Sequence, residues 1–207
     1  MEGADVMNLD VMNKITYGLF VLTSKNGDKD NGCIINTVMQ VTAVPNRIAI
    51  AVSKNSYTHD MILKSCEFNL SILDESSKFA TYNNFGFRSG RDSDKFADVN
   101  FARAANGIAY LTEECNGYIS GKVVNTVDLG THTLFIADVT DGEVLANSDS
   151  VTYAYYYSNI KKKDSAATGK KGFICIVCGF IYEGDTLPPD YVCPVCGHGA
   201  QDFQPLQ

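Results

Sequence analysis

Residues Cys33–Ser53 read CIINTVMQVTAVPNRIAIAVS. These are two runs rich in Val, Ile and Thr, divided by Pro45-Asn46. Proline has no backbone N–H to give to a ladder and cannot sit inside a central strand, so the stretch predicts two strands parted at Pro45. Working outward, Thr16–Gly32 (TYGLFVLTSKNGDKDNG) is a β-run ending in an Asn26-Gly27-Asp28 turn, and Phe68–Leu73 (FNLSIL) alternates weakly. Gly117–Leu145 (GYISGKVVNTVDLGTHTLFIADVTDGEVL) is a long pair of runs broken at Asp128-Leu129-Gly130. Short strands at this spacing with few long helices predict a mainly β domain, a barrel or a sandwich. Two helices are expected. One covers Ser56–Cys66, with Thr58 as its cap and Met61, Ile62 and Leu63 opening an apolar face. The other lies around Asp74–Asn83, opened by Asp74.

The 207 residues suit one domain plus a small module. A formal net charge of −7 argues against a nucleic-acid partner, because phosphate binding needs surplus Lys and Arg. No apolar run reaches the ~18–20 residues of a membrane span. The first ten residues, MEGADVMNLD, carry no basic or apolar signal pattern, so the expected location is cytoplasmic. Seven cysteines are present. Cys33, Cys66 and Cys115 are scattered and odd in number, which predicts free thiols buried as small hydrophobes. Residues 158–172 (SNIKKKDSAATGKKG) are polar, small and basic, which predicts an exposed linker. The expected organisation is a large domain over 1–157, a linker over 158–171 and a module over 172–207.

The module contains CIVCGFIYEGDTLPPDYVCPVCG, two Cys-x-x-Cys pairs with fourteen residues between them. Four thiolates from Cys175, Cys178, Cys193 and Cys196 fit a tetrahedral metal site. Gly179 and Gly197 follow the two pairs, where tight turns need positive φ. Spacing alone serves zinc as well as iron. So small a unit cannot fold without its metal. The Cys-x-x-Cys-Gly-x-x-Tyr and Cys-Pro-x-Cys-Gly patterns, with Leu187-Pro188 between them, resemble rubredoxin over about Gly172–Phe203. That resemblance implies one redox-active iron on the four cysteines. The stretch between the pairs is shorter than in free-standing rubredoxins, and Tyr191 stands where a Trp is usual. Phe173, Tyr182, Tyr191 and Phe203 are expected to form an aromatic core.

The stretches Tyr17–Ser24, Gly32–Ile62 and Thr126–Val139 resemble the flavin reductase family. Phe85–Phe96 (FGFRSGRDSDKF) and Val151–Ser158 (VTYAYYYS) narrow the match to its flavoredoxin-like branch and to proteins that join such a domain to a rubredoxin. The resemblance implies a split β-barrel homodimer holding FMN at the subunit interface. Asn36, Thr37, Val38, Gln40, Val41 and Thr42 would meet the flavin ring. Ser53, Lys54, Asn55, Ser56 and Thr58 run into a helix start, where unpaired N–H groups favour a phosphate, although helix capping explains the same residues locally. Arg88, Arg91 and Lys95 form a basic loop that reads either as solvated or as a contact for the flavin phosphate. His132 would lie near the flavin face where a nicotinamide stacks, or be a structural histidine; His59 reads as a helix-start residue and His198 as exposed. No Gly-x-Gly-x-x-Gly is present, so any nicotinamide is not held by a Rossmann domain.

Together these imply an electron-transfer enzyme that takes hydride from NAD(P)H onto FMN and passes single electrons through iron to a flavodiiron-type partner. The alternative is a carrier fed by a separate reductase. A third possibility is a zinc-bearing docking module behind a free-flavin reductase.

Overall fold

A computed structural model describes residues 9–161, 172–175, 180–193 and 199–205. Nine strands and two helices build the larger part: β1 (Phe20–Asn26), β2 (Lys29–Ile35), β3 (Val38–Ala43), β4 (Asn46–Ser53), α1 (Tyr57–Ser65), β5 (Glu67–Leu73), α2 (Phe79–Gly86), β6 (Phe101–Arg103), β7 (Ala109–Leu111), β8 (Cys115–Asp128) and β9 (His132–Val144). A helical stretch over Tyr153–Lys161 follows, with π-type turns from Tyr156. Seven strands form one sheet in the order β2-β1-β5-β8-β9-β4-β3, every pairing antiparallel.

The turns fall where chain chemistry puts them. Gly27 supplies φ 61 between β1 and β2, and Gly130 supplies φ 81 between β8 and β9. Pro45 lies in the turn between β3 and β4, outside both strands. Both faces of the sheet are covered. Leu22, Ile35, Ile48, Ile50, Val52, Phe68, Leu70 and Phe135 pack together with Ile62 of α1. β2 is one edge of the sheet and β4 stands next to the other, so their meeting in one core requires the sheet to curl around α1's apolar side. Val21 and Leu73, one residue out of phase, point the opposite way into a second core with Tyr82 and Phe85 of α2, Tyr156 and Ile160. Each large aliphatic or aromatic side chain so buried contributes about 1.5–3 kcal/mol.

Three expectations change. α2 starts at Phe79, not at Asp74. Asp74 instead brackets a loop, accepting from Ser76 Oγ and Ser148 Oγ, both at 2.6 Å. Burial alone would push its carboxyl up, but these hydroxyls and the Ser76 amide outweigh that and hold it below the usual range. Of the two residues whose capping would explain the turn, Ser56 and Thr58, it is Ser56 that occupies the N-cap position of α1. Thr58 lies inside the helix, fully buried, and its hydroxyl accepts from Asn31 Nδ2 at 2.9 Å. Of the three scattered cysteines only Cys115 is buried. Cys33 is half-buried, and Cys66 is exposed in the left-handed turn that ends α1.

The smaller part contains β10 (Phe173–Cys175), β11 (Ile181–Tyr182) and β12 (Phe203–Pro205), in the order β11-β10-β12. No helix among the described residues is long and apolar enough to cross a membrane.

Candidate functional site

A cavity of about 490 Å³ opens where β2 ends, β4 ends and α1 begins, within the range of small-molecule sites. Three chemically different regions line it. Its walls are apolar: Ile34, Ile35, Val52, Phe85 and Phe87. Asn36 and Thr37, between β2 and β3, give it polar atoms at one side. Thr37 is fixed by donating its hydroxyl to Ala51 O at 2.7 Å, while its own carbonyl accepts from Ala51 N.

The third region is the approach to α1. Ser53, Asn55, Ser56 and Tyr57 line the cavity there. Ser56 has extended backbone at the N-cap, yet its side chain makes no capping hydrogen bond. A capping serine normally accepts from an amide two or three residues on. The His59 amide donates to the Ser56 carbonyl at 3.1 Å, so the Ser56 hydroxyl is left for something else, and the helix dipole favours an anion there. Arg88 and Lys95 bring positive charge to the same cavity.

Lys95 is not part of a solvated loop. It is only 4% exposed, and its Nζ donates to Gly32 O at 2.9 Å and Phe85 O at 3.1 Å. An ammonium has three donors, so one N–H remains beyond these two. Burial pushes its pKa down to about 8. Arg88 is braced by donation to Asn84 Oδ1 at 3.1 Å. Arg91 lies outside the cavity. It pairs with Asp60 at 2.6 Å and sits 4.9 Å over the Tyr57 ring, tying the loop to the first turn of α1. Hydrogen bonding from Arg91 holds the Asp60 carboxyl below its usual range.

His132 lines the cavity from the first position of β9, directly opposite Ser53 in the β4–β9 ladder. Its Nδ1 lies 2.9 Å from Thr131 Oγ1. His59 is elsewhere, buried on Phe135 with its Nε2 2.9 Å from Thr133 Oγ1.

Several residues considered for the flavin lie outside the cavity. Val38, Gln40, Val41 and Thr42 are on β3, whose last five residues are exposed. Gln40 donates to Asn46 Oδ1 at 3.0 Å, and Thr42 donates to Pro45 O. Lys54 pairs with Asp128 at 2.7 Å on the surface, and that bond holds the Asp128 carboxyl low. Thr58 is committed to Asn31. Conversely, Asn31, Cys33, Phe85 and Phe87 line the cavity without having been singled out. An elongated ligand with an anionic end, a polar edge and a flat apolar middle fits this set, and FMN has that chemistry.

In the smaller part, Cys175 and Cys193 are buried side by side with Phe203, against Phe173, Tyr182, Leu187 and Tyr191. Tyr191 meets Tyr182 and Phe203 edge to face at 4.6 and 5.4 Å, the aromatic core expected there. Cys175 N–H donates to Phe180 O at 2.8 Å. Two thiols in a dry aromatic shell suit a thiolate-bound metal. Cys178, Cys196 and His198 lie outside the described residues.

Comparison with known proteins assigns a family to each part. Residues 12–163 match the family described as "Flavin reductase like domain", and residues 173–204 match "Rubrerythrin, rubredoxin-like domain". The chain is 33% identical to the high molecular weight rubredoxin of Moorella thermoacetica over 97% of its own length and 100% of that protein's. It is 35% identical to the ferric-chelate reductase (NAD(P)H) of Archaeoglobus fulgidus, covering 76% of this chain and 93% of that one. A putative diflavin flavoprotein of Nostoc is 30% identical over 70% of this chain, which spans only 25% of that protein. Among solved structures, the flavin reductase PheA2 superposes with a TM-score of 0.59 at 27% identity, covering 69% of this chain and 88% of that one. The protein belongs to the flavin reductase like domain family, with a rubredoxin-like domain joined behind it.

Proposed function

We propose that this protein is an NAD(P)H-dependent electron-transfer oxidoreductase that holds FMN in the large cavity and one iron on Cys175, Cys178, Cys193 and Cys196. A flavin supplies the conversion of one hydride into two single electrons, and a four-cysteine iron accepts them one at a time. What carries the reading is the cavity's anion-binding end: an N-cap Ser56 whose hydroxyl makes no cap bond, with Arg88 and Lys95 lining the same cavity. The rubredoxin-like domain on the same chain supports the onward route.

Each residue then has a task. The first-turn amides of α1 with Ser53, Asn55 and Ser56 bind the phosphate. Lys95 and Arg88 neutralise it. Asn36 and Thr37 hydrogen-bond the polar edge of the ring, and Ile35, Val52 and Phe85 exclude water from its middle. His132, at the rim, orients the nicotinamide. β3, with Val38, Gln40, Val41 and Thr42, belongs to the flavin site of a second subunit. Met39, Val41, Val44, Val124, Val127 and Leu129 are exposed apolar residues on this strand, its turn and the β8 end, and a second copy of the chain is the partner that would cover them. Lys54 and Thr58 act as supports for the α1 approach rather than as direct contacts. The linker begins after residue 161, since Ile160 and Lys161 are buried with the large domain, and the module occupies 172–207. The electron acceptor is a second redox protein of the flavodiiron type, in a reducing cytoplasmic compartment.

The test uses the full chain and Cys193→Ser. Both oxidise NAD(P)H with ferricyanide, whereas only the parent reduces a one-electron protein acceptor at a useful rate. Equal rates of protein reduction by the two would overturn the iron route. No NAD(P)H oxidation by either would leave a carrier fed by another reductase.

A further inference from the structure

One residue lining the flavin-sized cavity comes from outside the large domain. Phe180 shares that lining with Ser56, Arg88 and His132. It also packs against the Cys175, Cys193 and Phe203 cluster of the module. Its backbone is pinned, because Phe180 O accepts from Cys175 N, and in sequence it stands two residues beyond Cys178. A half-buried aromatic ring packed on the cysteine cluster of one part therefore stands at the cavity of the other.

We propose that Phe180 is the residue by which the terminal module docks onto the cavity of its own large domain, closing it over the ligand. This rests on the flavin reading for what the cavity holds, but not for the docking itself. Three observations favour Phe180 as the contact. Phe87 and Ile34 give the cavity apolar surface that a ring can cover. The connection is short: ten residues separate Lys161 from Gly172, a reach of at most about 40 Å. So brief a tether keeps the module at an effective concentration of order millimolar, and a weak aromatic contact suffices to seat it. The contact also has to be weak for function, because the cavity end lined by His132 is where a nicotinamide would approach. Module and nicotinamide then take turns at one opening, and Phe180 sets the balance between them.

The experiment compares the full chain with Phe180→Ala and Phe180→Leu. In cofactor-free protein, amide hydrogen exchange is followed over 53–57 and 36–37. With FMN added, its release is timed by recovery of free-flavin fluorescence. Docking predicts faster exchange in both segments and FMN release at least about threefold faster in Phe180→Ala, with Phe180→Leu closer to the parent, in line with the apolar area each side chain covers. The apparent KM for NAD(P)H falls in Phe180→Ala, because the opening is less often covered. Unchanged exchange and unchanged FMN release in Phe180→Ala would overturn the proposal. If iron fails to load in Phe180→Ala, judged by its visible absorption, the same readouts on Phe180→Tyr decide: release as slow as the parent's supports an aromatic contact, and parent-like exchange with threefold faster release refutes it. A parent chain that binds no FMN would sink the flavin reading, while the exchange data would still judge the docking.

Discussion

Lys95 and Ser56 are the two side chains whose behaviour most sharply separates a ligand site from ordinary structure. Burial holds the Lys95 pKa near 8 in the empty protein, below the ordinary lysine value of 10.5. A phosphate bound beside it favours the protonated amine. FMN affinity is therefore highest below pH 8 and falls as the pH rises through it, and Lys95→Met removes that step; isothermal titration at pH 6.5, 8 and 9.5 reads it. The same shift sets a stability trend of definite sign. Between about 8 and 10.5 the unfolded chain carries the proton that the folded chain has lost, so the empty parent gains stability relative to Lys95→Met as the pH rises across that window. Ser56 makes no cap bond, so Ser56→Ala should cost less than the ~1 kcal/mol of a lost capping serine while weakening FMN binding several-fold. Thermal melts and FMN titration on one preparation separate the two effects; a lower melting temperature with unchanged FMN affinity would make Ser56 merely structural. Sequence pattern placed Ser56 before a helix and marked Lys95 as basic. It could not show that one hydroxyl is idle and the other amine buried, because both facts depend on residues far away in the chain.

At the scale of elements, the strands of the main sheet and the span of α1 were legible, whereas β6, β7 and the start of α2 were not. Gly27, Pro45 and Gly130 mark turns by backbone chemistry alone, and the strands between them follow. Asp74 resembles a helix opener locally, yet Ser148, 74 residues away, captures its carboxylate and delays α2 to Phe79. Thr58 is likewise drawn from capping by Asn31. That pair also explains why the loop after α2 carries a glycine at position 90: a Cβ there would stand 1.8 Å from Asn31 Oδ1. Gly90→Ala must displace Asn31, whose side chain is buried beside the cavity. A destabilisation of about 1–3 kcal/mol with weakened FMN binding is expected, measured by denaturant melts and flavin titration. Unchanged values would mean that the loop simply shifts away.

For the whole molecule, the division of labour between two metal- and flavin-sized chemistries was legible from the cysteine spacing and the family resemblance. The docking of one part on the other was not, because no local pattern encodes a contact made across a linker. The two parts have separate cores. Cys193→Ser should therefore abolish iron binding and unfold the module, while the large domain melts within a few degrees of the parent. Likewise, Val127→Asp, on the exposed end of β8, should shift the protein toward monomer in sedimentation and weaken FMN binding if that face is the subunit contact. The central claim is a single relay from nicotinamide through the cavity to the four cysteines. Anaerobic titration of the purified chain with NADH and then NADPH, followed by visible absorption, tests it most directly. The account predicts that the flavin and ferric-thiolate bands both bleach with one of the two nucleotides. Bands that are both present and bleach only with a chemical reductant would contradict it.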